Sequence, residues 1–254
     1  GAVNYGYSYF DRFVRISDWL VFLNAVDPGG SGNYSGLLGS SGLGMISYTG
    51  SQWVANAWSC SLTGQSFTAA QTGKVAISYV SFNLACRFAN WVATGSVSSG
   101  AYTFASSAAN ADVTGINYAF AGVRLPPENE FYKAAYYNPT TSSYNTYGAT
   151  DLTAGVPTQT NVSSNGTLAN QSASPYALSN VGLYGGPPLT GTHCLWQIQA
   201  GQGSRSAYGL FNIVFCFYYM LTINQGGTVD PSAKYMMYRP GNQFEGASGQ
   251  SKSW

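Results

Sequence analysis

The sequence predicts an all-β protein: an antiparallel β-sandwich, jelly roll ahead of immunoglobulin-like, with long loops and a short N-terminal helix or arm. Three observations carry the prediction. Several runs alternate apolar and polar residues with period two. One long run is apolar on both faces. Gly, Pro, Asn and Ser clusters punctuate the spaces between them, as turns require. At 254 residues, 45 % of them hydrophobic and 15 % aromatic, the chain is long enough to bury one large β core. The organisation expected is an arm or helix over residues 1–28 and a single sandwich domain over residues 29–254.

From the N-terminus, Tyr9 to Ala25 place Phe10, Phe13, Val14, Leu20 and Val21 roughly on one side. That spacing predicts a helix, with Ser8 and Asp11 available to cap it. Val14, Ile16, Trp19, Val21 and Phe22 also suit a strand, and Asp27-Pro28-Gly29-Gly30 ends either element in a turn. Gly29 to Gly44 is rich in Gly and Ser and reads as a flexible loop or as an arm shaped by a neighbour.

The strand signals follow. Val80, Phe82, Leu84, Cys86 and Phe88 alternate with Ser81, Asn83, Ala85, Arg87 and Ala89, which predicts a strand with one buried face. Val75, Ile77 and Tyr79 sit on the opposite phase, so a bulge is expected near Tyr79. Cys194, Trp196, Ile198 and Ala200 alternate in the same way and run into a turn at Gly201-Gln202-Gly203-Ser204. Leu210 to Ile223 is apolar on both faces, so both sides of that strand require cover, from a second sheet and from another layer or subunit. Further strands are expected around Gln52–Leu62, Tyr102–Ala105, Asn117–Leu125 and Lys234–Arg239. Between about 136 and 186 the chain is rich in Asn, Thr, Ser, Tyr, Gly and Pro with almost no charge. A polar loop of that length needs a reason, and contact with partners supplies one.

Charge limits the functions open to the chain. Lys+Arg number 10 and Asp+Glu 9, so that 7 % of residues are charged and the net charge is +1. An ordinary soluble domain has about a quarter. So little charge gives little self-repulsion and suits a subunit packed against others. The basic residues are scattered, whereas a grip on phosphates needs them clustered, so no direct nucleic-acid contact is expected. The apolar run at 210–223 is too short for a membrane-spanning helix. The chain opens on Gly1 with no signal peptide and no initiator Met, which fits proteolytic trimming of a precursor.

The chemistry-bearing residues are few. Cys60, Cys86, Cys194 and Cys216 lack zinc-site spacing. They are left as two disulfides or as buried free thiols. His193 is the sole histidine, which excludes a metal site built on two. As a strand neighbour of Cys194 it would point to the opposite face, so no Cys-His dyad is expected. Glu128 and Glu130 follow Pro126-Pro127 and, in an extended segment, would face one way, the geometry of a calcium site or a glycosidase pair; a solvated loop is the plainer reading. No phosphate-binding glycine loop or nucleophile elbow is present. Neither a catalytic residue, a metal nor a cofactor is therefore predicted. Four glycosylation sequons begin at Asn33, Asn161, Asn165 and Asn170, three of them inside the polar loop, which favours an exposed outer surface.

The function expected is a non-enzymatic structural subunit of a large extracellular assembly, most concretely a virus capsid (coat) protein, at the virion or extracellular surface. Its partners would be copies of itself and other structural subunits. Phe10, Phe13 and Trp19 near the N-terminus, with Tyr136, Tyr137, Tyr144 and Tyr147 in the loop, are the predicted inter-subunit contacts. A pilus or surface-filament subunit, with residues 1–26 donated as a strand, is the alternative. A lectin-like module stacking sugars on Trp53, Trp58 or Trp91 is another. An outer-membrane barrel accounts for the Tyr-rich strands and Trp254 but lacks even strands of about ten residues.

Overall fold

The computed structural model describes residues 3–10, 14–35, 44–59, 66–74, 77, 80–145, 183–184, 194–195, 206–208, 210, 220–221 and 236–237. Its elements in order are α1 (Ile16–Val26), β1 (Ile46–Tyr48), β2 (Trp53–Ala55), β3 (Trp58–Ser59), β4 (Ser66–Phe67), α2 (Ala69–Thr72), α3 (Phe82–Thr94), β5 (Tyr102–Phe104), β6 (Val113–Ile116), α4 (Glu128–Tyr136), β7 (Tyr137–Asn138), β8 (Ser143–Tyr144), β9 (Leu183–Tyr184), β10 (Cys194–Leu195), β11 (Met220–Leu221) and β12 (Met236–Met237). The strands pair two by two, all antiparallel: β1 with β2, β3 with β4, β5 with β6, β7 with β8, β9 with β10 and β11 with β12. Among the described residues no barrel closes.

Helix α1 starts seven residues later than its sequence pattern predicts. The Asp18 carboxylate accepts the Arg15 backbone N–H at 3.0 Å and the Arg15 guanidinium at 2.8 and 3.0 Å, which satisfies one of the orphan donors at this terminus. An acid in the first turn also suits the helix dipole. The predicted turn after it is present and is tied by Asp27, whose carboxylate accepts the N–H groups of Ser31 and Gly32 at 2.8 and 2.9 Å. Gly30 there has φ +69° and lies against the Tyr48 ring, so a side chain would meet both backbone strain and the ring.

Helix α3 replaces the strand expected at Val80–Phe88. Ser81 caps it, accepting the Leu84 N–H at 3.2 Å, and Gly95 ends it in the left-handed conformation at φ +77°, its N–H donating to the Trp91 carbonyl at 2.8 Å. Two apolar faces explain the misleading alternation. Phe82, Cys86 and Ala89 share one face and pack with Ala101, Tyr102 and Val113. Leu84, Phe88 and Trp91 share another and pack with Ile16, Trp19, Phe22, Met45 and Trp53 around α1 and β1–β2. A helix wedged between two clusters is apolar on both sides, and its residues 82, 84, 86 and 88 then mimic a strand.

Two further expectations are corrected nearby. The strand at Asn117–Leu125 is absent: β6 ends at Ile116, and a turn at residues 118–119 leads into irregular chain. The Leu125 N–H is instead fixed by the buried Tyr102 hydroxyl at 2.8 Å. Glu128 and Glu130 lie not in an extended segment but in the first turn of α4, where positions i and i+2 are about 200° apart around the axis. The strands expected around 52–62 and 102–105 are present in part as β2, β3 and β5, while β10, β11 and β12 fall within three further runs that the sequence marks as strands. The bulge near Tyr79 lies outside the described residues.

One buried polar centre ties together the chain on either side of β5, between α3 and β6. Arg87 is fully buried, and its guanidinium donates to the carbonyls of Ala108 at 2.6 Å, Ser106 and Ala109 at 2.9 Å and Val97 at 3.4 Å. It also stacks over the Phe104 ring, 3.8 Å from the centroid. Burial pushes its pKa down. Beside it the buried Asn90 brackets Tyr102, accepting its N–H at 3.0 Å and donating to its carbonyl at 2.8 Å, as a neighbouring strand would.

Candidate interaction surface

The most chemically distinctive region is a seam of tyrosines where the N-terminal arm, residues 3–10, crosses α4. Helix α4 begins directly after Pro126-Pro127, since proline is tolerated at a helix start, and turns Phe131, Ala134, Ala135 and Tyr136 inward. Against this face pack Leu210 and the half-buried Tyr7, Tyr9, Tyr132 and Tyr144. Tyr132 stacks on Tyr144 with ring centroids 4.9 Å apart, and Tyr137 meets Tyr144 edge-on at 5.1 Å. The β7–β8 hairpin supplies this geometry, with Tyr137 opposite Tyr144.

An ion pair sits at the centre of the seam. Arg124 engages Glu130 with both nitrogens of its fork, Nη1 to Oε2 at 2.9 Å and Nη2 to Oε1 at 2.5 Å, and Glu130 is 3 % exposed. The hydrogen bond to Glu130 raises the Arg124 pKa further. The arm then adds its own bonds: Tyr5 Oη to Glu130 Oε1 at 2.6 Å, Tyr7 Oη to the Glu130 carbonyl at 2.7 Å, and Lys133 Nζ to the Val3 carbonyl at 2.7 Å. Burial, reinforced by the Glu130 charge, pushes the phenol pKa of Tyr5 and Tyr7 up, and burial does the same for Tyr9. The seam is thus a set of neutral phenols around one compensated carboxylate. Such groups bind by hydrogen bonding and ring packing rather than by charge.

The predicted contact residues separate on this structure. Tyr137 and Tyr144 belong to the seam and are partly exposed, and Phe10 is 64 % exposed at the end of the arm. Trp19 and Tyr136 are 1 % and 5 % exposed, each packed inside one of the chain's own clusters. Phe13 and Tyr147 lie outside the described residues. Of the Trp candidates for sugar stacking, Trp53 is buried and Trp58 and Trp91 are half-buried. Trp53 is buried with Nε1 donating to the Asp27 carbonyl at 3.0 Å, Trp58 packs on Phe67, and Trp91 packs on Phe22 and Phe88. Among the sequons, Asn33 is exposed, while Asn161, Asn165 and Asn170 lie outside the described residues.

The remaining chemistry is sparse. Cys86 is a free thiol, buried, with its pKa pushed up by that burial. Cys60, Cys216 and His193 fall outside the described residues. Among the described residues, no group of three or more His, Cys, Asp or Glu side chains is placed to hold a metal, and no helix is long and apolar enough to cross a membrane. Glu130, Tyr5, Tyr7 and Lys133 as one constellation are not legible in sequence, because the arm residues lie more than 120 positions from those on α4; the Tyr5/Tyr7/Tyr9 alternation is the available signal. No family model, curated protein or solved structure matches the chain.

Proposed function

We propose that the chain is a non-enzymatic structural subunit of a large extracellular assembly, a virus coat protein in its most concrete form, built on an antiparallel β-sandwich of jelly-roll type. The observation that carries the reading is the composition of the chain: 7 % charged residues at near-zero net charge, with 20 tyrosines and abundant Gly, Ser, Thr and Asn. Copies of such a chain repel one another weakly, and phenols and amides give them adaptable contacts. The partly exposed tyrosine seam and the aromatic arm that ends at Phe10 are consistent with this role. The antiparallel strand pairs are the pieces such a sandwich would use, and α1, α3 and α4 would be carried on it. An exposed Asn33 sequon fits an outer surface.

The filament alternative is narrowed. Residues 16–26 are helix α1, with Ile16, Trp19, Phe22 and Leu23 in the core, which leaves at most the preceding residues to be donated as a strand. Light scattering coupled to size exclusion tests the proposal on protein from its natural source. A particle mass many times the 26.9 kDa of one chain supports it. A single species at the mass of one chain overturns it.

A further inference from the structure

The arm and its seat on α4 differ in how they are built, and that difference points to exchange between copies. The charged part of the seat does not draw on the arm: Arg124 and Glu130 are six positions apart and pair bidentately, so Glu130 keeps a compensating charge when the arm leaves. The apolar face of α4 is made by its own residues with Leu210 and Tyr144, and Tyr7 and Tyr9 of the arm pack on it from outside the helix. The arm contributes no strand or helix. Among the described residues no backbone-to-backbone hydrogen bond joins it to α4, and it is held by the Tyr5, Tyr7 and Lys133 side-chain bonds and by Tyr9 against Phe131, ring centroids 6.5 Å apart. Every partner is more than 120 positions away, so none of these contacts depends on arm and seat belonging to one chain.

We propose that in the assembled state Val3–Tyr9 of one copy lies on helix α4 of a second copy, making there the Tyr5 and Tyr7 bonds to Glu130 and the Val3 bond to Lys133. The occupant is a second copy of this chain, because the seat already fits this arm and exchanging an identical element adds no unfamiliar contact. Within one chain the arm competes at an effective concentration on the order of millimolar, which close packing of subunits matches. The exposed Tyr5 and Phe10 rings, 50 % and 64 % accessible, would then gain cover from the junction. This inference rests on the self-assembly reading above and names the joint it would use.

Photo-crosslinking tests it with the chain as it exists. Asn4, exposed on the arm and absent from the bonds to α4, is replaced by p-benzoylphenylalanine, and a second variant carries the probe at Tyr5. Unlabelled and ¹⁵N-labelled chains are dissociated, mixed equally, reassembled and irradiated. In exchanged arms, about half of the arm–α4 crosslinked peptides carry one peptide of each isotope, and covalent oligomers form on denaturing gels. Same-isotope crosslinks alone, in particles that still assemble, overturn the exchange and leave the assembly reading standing. Same-isotope crosslinks in a monomer overturn both. Absence of any arm–α4 crosslink with either probe, in assembled particles, overturns the exchange.

Discussion

Replacing Arg87 by Met removes the centre that holds the loops flanking β5, at Val97 and at Ser106–Ala109, and the loss is calculable from its contacts. The carbonyl of Ala109 belongs to a buried residue and loses its partner outright, at about 1–3 kcal/mol. Ser106 and Ala108 are exposed residues whose carbonyls turn to water, so their bonds weigh less. The guanidinium over Phe104 adds about 0.5–2 kcal/mol. Met keeps much of the aliphatic stem and needs no desolvated charge, which returns part of the loss. The net destabilisation expected is about 3 kcal/mol, taking the cation–π and Ala109 contributions together. For a chain of this size that is a fall in Tm of about 6–12 °C. Arg87→Lys keeps the charge but loses the planar fork, and falls between the two. Thermal melting by near-ultraviolet circular dichroism reads the stability, and hydrogen exchange of amides 97–112 reads the loop. A loss below about 1 kcal/mol with unchanged exchange would refute the reasoning and mean that the loop holds itself.

Three other outcomes follow from the same structure. Tyr7, Tyr9 and Tyr102 have phenol pKa values raised by burial, so they favour folding fully below the unfolded value near 10 and lose that contribution as pH rises above it; tyrosinate absorbance at 295 nm is expected in two phases, exposed phenols first and a late phase coincident with unfolding, and a single phase near pH 10 in folded protein contradicts the burial. Ser81→Ala is expected to destabilise by about 1 kcal/mol through loss of the α3 cap, read by chemical denaturation, whereas a strand at this position would barely respond. Peptide mass spectrometry on protein from its natural source is expected to find a glycan on Asn33, and a fully unmodified Asn33 counts against exposure to a glycosylating compartment.

Local chemistry made part of this fold legible. The Asp27-Pro28-Gly29-Gly30 turn, the body of α1 and the strand at Tyr102 follow from turn residues and short periodic runs. The α3 error has a definite cause: apolar residues at 82, 84, 86 and 88 satisfy a two-residue period because the helix touches two clusters at once. Ser81 and Gly95, spaced for a cap at each end, held the contrary signal. At α4, Pro126-Pro127 fits extended chain and a helix start alike, and the structure begins the helix there. A tryptophan suits an interface and a core equally well, and the packing of Trp19 beside Phe22 and Phe88 at centroid distances of 4.8 and 5.1 Å is a tertiary fact that local sequence does not carry. The tyrosine seam was legible as a tendency, in the crowding of Tyr near the N-terminus and around 132–144. Its joining through Glu130 was not, because pairing across more than 120 positions leaves no local periodicity.

Negative-stain electron microscopy of particles from the protein's natural source tests the assembly claim most directly. Closed shells of uniform diameter are the predicted result. A field of single 26.9 kDa molecules, with neither shells nor fibres, would contradict it.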